Sequence, residues 1–236
     1  MSRTLMSFIE VLCLSSVIGA FLSTTAVGQQ TSSTIVFEDR FDRKHDVGND
    51  WKLNTKEDHQ FVIEDGELHV TRNTDAKHYA NLLHKAAFRN GALSLRFKLV
   101  NNDDSFRVQV RDSAFTRVKQ GMLFNIRMGD GMLELQDAIV AYDIKQDMKS
   151  RKAANPSPQQ QIELDKVTKT APVDISVGTW HDFKIDVDGD DLTVMIDGKE
   201  IASLSSKGIS HPTKDNFRIE VGRSLVIDDV KVAAGS

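Results

Sequence analysis

The chain has 236 residues, of which 27% are charged, with a formal net charge of −4 and one cysteine. Acidic and basic residues are interspersed, not blocked, which excludes a basic surface built for nucleic acid. Cys13 lies near the start, so a mature chain that begins after it has no disulfide and stands on its core alone. About 208 residues suffice, because domains of that size bury about 70% of their unfolded surface.

The first segment carries Arg3, a mainly apolar run from Val11 to Leu22, and the small residues Ala26 and Gly28. This pattern predicts a signal peptide over residues 1–28, cleaved after Gly28. The run is about 12 residues, short of the roughly 20 that span a bilayer. The expectation is therefore an exported protein, periplasmic, cell-surface or extracellular, with no membrane span in the mature domain of residues 29–236.

The rest reads as short strands. Ile35 and Phe37 open the first, and a polar loop leads to Trp51. Residues 61–63 and 68–70 flank an Asp65-Gly66 turn as a hairpin. A short strand over residues 80–83 precedes an alternating one over 92–100, with Leu93, Leu95, Phe97 and Leu99 inward. Phe106, Val108 and Val110 then alternate with Arg107, Gln109 and Arg111, and residues 122–128 and 132–136 pair about Gly129-Asp130-Gly131.

From residue 137 to 170 the period of two is lost. Ser157, Pro158 and Gln160 stand at the offsets of an N-cap, a first-turn proline and a capping-box partner. A helical or charged insertion is expected here, its second helix presenting Ile162, Leu164 and Val167 as an apolar stripe. Beyond it, Phe183, Ile185 and Val187 alternate with Lys184, Asp186 and Asp188, and Leu192, Val194 and Ile196 with their polar neighbours, up to the Asp197-Gly198 turn. Residues 217–221 and 225–232 complete the set. More than ten antiparallel strands with one insertion predict an all-β, two-sheet jelly-roll sandwich.

Several blocks carry a family resemblance: FEDRFDR, Trp51, IEDGEL, FRNGALSLRFKL, SFRVQVRD, GTWHDFKIDVDGDDLTVMIDGKEI, GISHPTK and LVIDDVKV. Together they resemble the concanavalin A-like lectin/glucanase superfamily, in particular the 3-keto-disaccharide hydrolase domain group, often described as family 16 glycoside hydrolase-like. The resemblance implies a concanavalin-like sandwich that handles an oligosaccharide or polysaccharide. Laminarinase-type relatives place Glu-x-Asp-x-(x)-Glu along one strand, with two carboxylates about 5 Å apart for a retaining mechanism. Here the nearest stretch, Glu134 to Ile139, has Gln136 in place of the Asp and lacks the second Glu, so that mechanism is not carried over. The stretch is closer to the Glu-x-Gln strand of the 3-keto-disaccharide hydrolase group, which makes Glu134 a candidate acid/base and Gln136 a ligand-binding neighbour. The other reading is two polar positions on a solvated face.

Arg107, Gln109 and Arg111 are the most concentrated polar face: on a concave sheet they are the candidate sugar grip, because planar hydrogen-bonding groups engage hydroxyls two at a time, and on a convex sheet they are simply solvated. Asp112, at the strand end, is either an acid/base or a turn cap. His211, in a polar loop, is a further candidate contact. Trp51 and Trp180 are expected in the core, leaving Tyr79 and Tyr142 as stacking candidates. No cofactor is required. A structural calcium is the one candidate metal, held by Glu38 and Asp39 of the first strand with Asp228 and Asp229 of the last. Two functions follow: a glycoside hydrolase-like enzyme, or a non-catalytic glycan-binding or surface-interaction domain of the same fold.

Overall fold

The computed structural model describes residues 33–235; the expected signal peptide lies outside them. In chain order the elements are β1 (Thr34–Asp39), β2 (Lys52–Leu53), β3 (Gln60–Glu64), β4 (Glu67–Thr71), β5 (Ala80–Phe88), β6 (Gly91–Lys98) and β7 (Phe106–Arg111). Next come β8 (Met122–Gly129), β9 (Met132–Asp137), α1 (Ala138–Ser150), α2 (Pro158–Val167) and β10 (Thr168–Pro172). The chain closes with β11 (His181–Asp188), β12 (Asp191–Ile196), β13 (Lys199–Ser205), β14 (Lys214–Val221) and β15 (Ser224–Ala234).

The strands form two antiparallel sheets. One runs β13-β12-β11-β6-β15-β4-β3, with β1 also on β15; the other runs β10-β9-β8-β7-β14-β5-β2. Period-two alternation explains the sandwich, since one row of each strand enters the shared core. Leu93, Leu95, Phe97, Phe183, Ile185, Leu192, Val194, Ile196 and Phe217 are all buried, as the alternation predicts. Each such side chain contributes about 1.5–3 kcal/mol by leaving water. Asp65-Gly66, Asp130-Gly131 and Asp197-Gly198 hold both central residues at positive φ, the twist that matches a two-residue hairpin.

Both helices form. Ser157 Oγ accepts from the Gln160 amide at 3.3 Å, and Gln160 Oε1 accepts from the Ser157 amide at 2.9 Å, completing the capping box. Gln160 also bonds Asp147 of α1 at 2.7 Å, so polar contacts join the two helices. The expected apolar stripe on α2 is not realised: Val167 is buried, but Ile162 is half exposed, because α2 meets α1 through these polar ties. Three other expectations need correction. The strand expected over 80–83 continues to Phe88; residues 168–172 are an edge strand, not insertion; and Trp180 is not in the core. Its ring lies on the outer face of the eight-stranded sheet, beneath Arg96 and Lys98 at 4.7 and 4.6 Å. Trp51 is buried as expected, among Phe37, Phe41, His84 and Phe217.

Candidate functional site

The outer face of the seven-stranded sheet carries polar side chains in two cross-strand rows. One row runs Glu134, Arg127, Arg107, Glu220, Asn81; the next runs Gln136, Asn125, Gln109, Arg218 and ends on the apolar Leu83. Register makes these rows, because directly opposed residues on adjacent strands share a face. Over β7, β14 and β5 lies a groove of about 1140 Å³, walled by the loop before β3, the β4–β5 loop and the turn at Lys119-Gln120. It continues past Lys119, Gln120 and Arg218 into a second lobe of about 590 Å³ over Lys52, Lys85 and Arg111.

Arg107 and Gln109 line the first lobe and Arg111 the second. The Arg107 guanidinium donates to Glu220 through Nε at 2.9 Å and through Nη2. Arg218 Nη1 lies 3.5 Å from the other Glu220 oxygen and donates to Gln120 Oε1 at 2.8 Å. Glu220 thus fixes two guanidiniums on the groove floor. The face is not merely solvated: Gln109 and Arg111 are buried, because the 113–121 loop folds back over it and Arg111 Nε donates to the Gln120 carbonyl at 2.9 Å. Burial pushes the Arg111 guanidinium down to about 10, aided by the charge of Arg218. Arg218 Nε and Asn216 Oδ1 are buried without a hydrogen-bond partner among the described residues, a condition seen in few buried polar atoms.

At the far wall, Glu57 and His78 form a pair that the strand pattern does not signal. His78 Nδ1 lies 3.0 Å from Glu57 Oε1, and its backbone amide donates to Oε2 at 3.0 Å. Arg72 Nε donates to the His78 carbonyl at 3.0 Å, fixing the loop. A carboxylate at Nδ1 favours the tautomer that leaves Nε2 as acceptor. The hydrogen bond from His78 holds the Glu57 carboxyl below its ordinary value. Tyr79 stands half exposed on the same rim, its ring 5.6 Å from the Arg72 guanidinium. Tyr142 lies on α1, outside the groove lining.

Other candidates fall elsewhere. Glu134 and Gln136 share the face, but neither lines the groove, and Gln136 Nε2 donates to Thr168 at 3.3 Å. Asp112 takes the turn-cap alternative. It is buried and accepts from the Ala114 amide at 2.8 Å and from the Thr213 hydroxyl. Burial works to raise its carboxyl, but these bonds and nearby His211 outweigh it and leave it below its ordinary range, the wrong direction for a proton donor at neutral pH. His211 is tied into its own loop, with Nδ1 2.9 Å from the Thr213 carbonyl and its ring against Phe115. Buried Lys214 anchors that loop by donating to the His211 carbonyl at 3.0 Å and the Arg89 carbonyl at 2.8 Å; burial pushes it down to about 8.

The first and last strands do pair, with Glu38 opposite Lys231 and Asp39 opposite Val230. The four carboxylates nevertheless build no cage. Asp39 is turned inward and saturated by Arg43 at 2.7 and 2.8 Å and by Trp51 Nε1 at 2.8 Å, while Glu38 pairs with Arg40 at 3.0 Å. Asp228 and Asp229 face Arg96 instead, at 3.7 and 3.5 Å. Among the described residues no group of three metal-ligating side chains converges.

A family model described as the 3-keto-alpha-glucoside-1,2-lyase-like domain matches residues 37–223. The chain belongs to this family. Its fold is also that of solved carbohydrate-active proteins. The laminarinase from Rhodothermus marinus is 12% identical, with a TM-score of 0.60, over 88% of this chain and 100% of that one. SCLam, a non-specific endo-β-1,3(4)-glucanase from family GH16, is 14% identical, with a TM-score of 0.58, over 85% and 91%. The carbohydrate-binding module CBM66 from Bacillus subtilis is 7% identical, with a TM-score of 0.50, over 79% and 94%. No protein of curated function matches the sequence. Among the described residues, no helix is long and apolar enough to cross a membrane.

Proposed function

We propose that the protein is exported and cleaves the glycosidic bond of a 3-oxo-glucoside held in the groove over β7, β14 and β5. The supporting observation is the convergence there of the Glu57–His78 pair with the Arg107–Glu220–Arg218 network, in a member of the 3-keto-alpha-glucoside-1,2-lyase-like family. A ketone at C3 acidifies the proton at C2. His78 Nε2, with Nδ1–H held by Glu57, takes that proton, and the electron pair moves onto the carbonyl oxygen as an enediolate. Arg107 or Arg218 stabilises the new negative charge. The pair then returns to form the C1–C2 double bond, the C1–O bond breaks, and the departing oxygen takes up a proton. Tyr79 offers an apolar face for a pyranose ring. Hydrolysis would use the same groove but add water at C1.

The second reading, a non-catalytic glycan-binding domain, is favoured by one observation: the groove's buried carboxylate, Glu220, is already neutralised by Arg107 and Arg218. A nitrophenyl 3-oxo-α-glucoside separates the readings. The lyase reading expects nitrophenol release together with a conjugated enone seen in the ultraviolet; hydrolysis gives no enone and incorporates oxygen-18 from labelled water. With His78→Asn, kcat should fall about a hundredfold or more, the scale of a positioned base, with KM little changed. Binding without turnover in the wild-type protein would support the glycan-binding reading. Turnover unaffected by His78→Asn would remove the base from this pair.

A further inference from the structure

The second lobe of the groove has a charge unlike that of the chain around it. Its lining includes Lys52, Lys85, Arg111, Lys119 and Arg218 and no acidic side chain, in a protein whose net charge is −4. The nearest carboxylates leave most of this charge unmatched. Glu220, in the first lobe, is bound by Arg107 and offsets only Arg218, whose Nη1 lies 3.5 Å away, and Asp215, outside the lining, accepts from the Ser113 amide at 2.9 Å and from the Asn216 side chain. Arg111 is buried, and among the described residues its Nε and Nη2 donate only to the Gln120 carbonyl and Arg218 Nε has no partner. Five cations facing one lobe repel one another, and the burial of Arg111 deepens the cost. A neutral sugar does nothing to relieve this. An anion does, and guanidiniums grip carboxylates and sulfates through paired N–H groups.

We propose that this lobe is a subsite for an anionic sugar unit, recognised through a carboxylate or a sulfate ester, so that the protein's glycan is acidic. The proposal rests on the reading that the groove holds a glycan. Titration calorimetry of the intact protein with three tetrasaccharides of equal length, one of uronic acids, one sulfated and one neutral, tests it. At least one acidic probe should bind tenfold or more tightly than the neutral one, with an affinity that falls as salt rises, and the tighter of the two acidic probes identifies the group.

Lys52 and Lys85 are exposed, so the double variant Lys52→Ala/Lys85→Ala should keep the wild-type unfolding midpoint. Its acidic-to-neutral affinity ratio should fall at least tenfold. Equal binding of all three probes, no binding of either acidic probe, or an unchanged ratio in the variant would overturn the acidic subsite. Arg107→Ala, in the first lobe, reports on the parent reading separately: if it leaves the binding of every probe unchanged, the groove is not the glycan site at all.

Discussion

Replacing Asp39 by Ala should lower the unfolding free energy by about 3 kcal/mol, near the lower bound for stripping one partner from a buried ion pair. Its carboxylate is buried and accepts from both terminal nitrogens of Arg43, from the Phe41 amide at 2.9 Å and from Trp51 Nε1. The change strands a guanidinium and an indole N–H at once and frees the 40–51 loop from β1. The loss stays near that bound because Arg43 keeps 31% of its side chain in water, where its charge can be rehydrated. Burial acts to raise the Asp39 carboxyl, but Arg43, Phe41 and Trp51 together hold it below 3.8. The linked stability is therefore complete above the unfolded value and lost as pH falls through the lower folded value. Denaturant unfolding at neutral pH and between pH 5 and 2 should show the wild-type advantage over Asp39→Asn shrinking as the pH falls. A loss under 1 kcal/mol at neutral pH would contradict the assignment.

Asp137→Ala should cost about as much, again about 3 kcal/mol, from a cap and several charge-assisted hydrogen bonds lost together. Asp137 is fully buried and, among the described residues, has no cationic partner. One oxygen caps α1 by accepting from the Ile139 amide at 2.8 Å; the other accepts from the Gly208 amide at 3.0 Å and the Ser206 hydroxyl. One carboxylate thus joins the helical insertion to the loop after β13. Gly208 is required there for close approach, since a Cβ would stand 2.3 Å from the carboxylate oxygens. Gly208→Ala should reproduce the destabilisation of Asp137→Ala, and the double variant should fall well short of the sum, because both changes break one contact. Additive losses in denaturant unfolding would show that the two residues act independently.

The residues legible in advance were those governed by period two. Leu93, Leu95, Phe97 and Phe183 reach the core because strand alternation leaves them no other face, and Arg107, Gln109 and Arg111 share the opposite one for the same reason. Arg218 and Glu220 carry that signal too, alternating with Phe217, Ile219 and Val221, and were within reach of the same reasoning. The burial of Gln109 and Arg111 was not, because it depends on where the 113–121 loop closes. Glu57 ends a single 3-10 turn (Thr55–Glu57) and His78 sits in a loop, 21 residues apart, and no periodicity brings them together. The calcium expectation placed β1 beside β15 correctly, yet Asp39 turns inward to Arg43 and Trp51, a choice made by side-chain partners that strand pairing does not determine.

The proposed function requires a glycoside to lie on the outer face of the seven-stranded sheet. Side-chain and backbone chemical-shift mapping during titration with the nitrophenyl 3-oxo-α-glucoside tests it most directly, using His78→Asn to keep the probe intact. The largest shifts are expected at Tyr79, Asn81, Arg107, Gln109 and Arg218, which line one groove, with little change at Arg96 and Trp180 on the opposite sheet. Shifts concentrated around Arg96 and Trp180, with Arg107 and Gln109 unmoved, would contradict it.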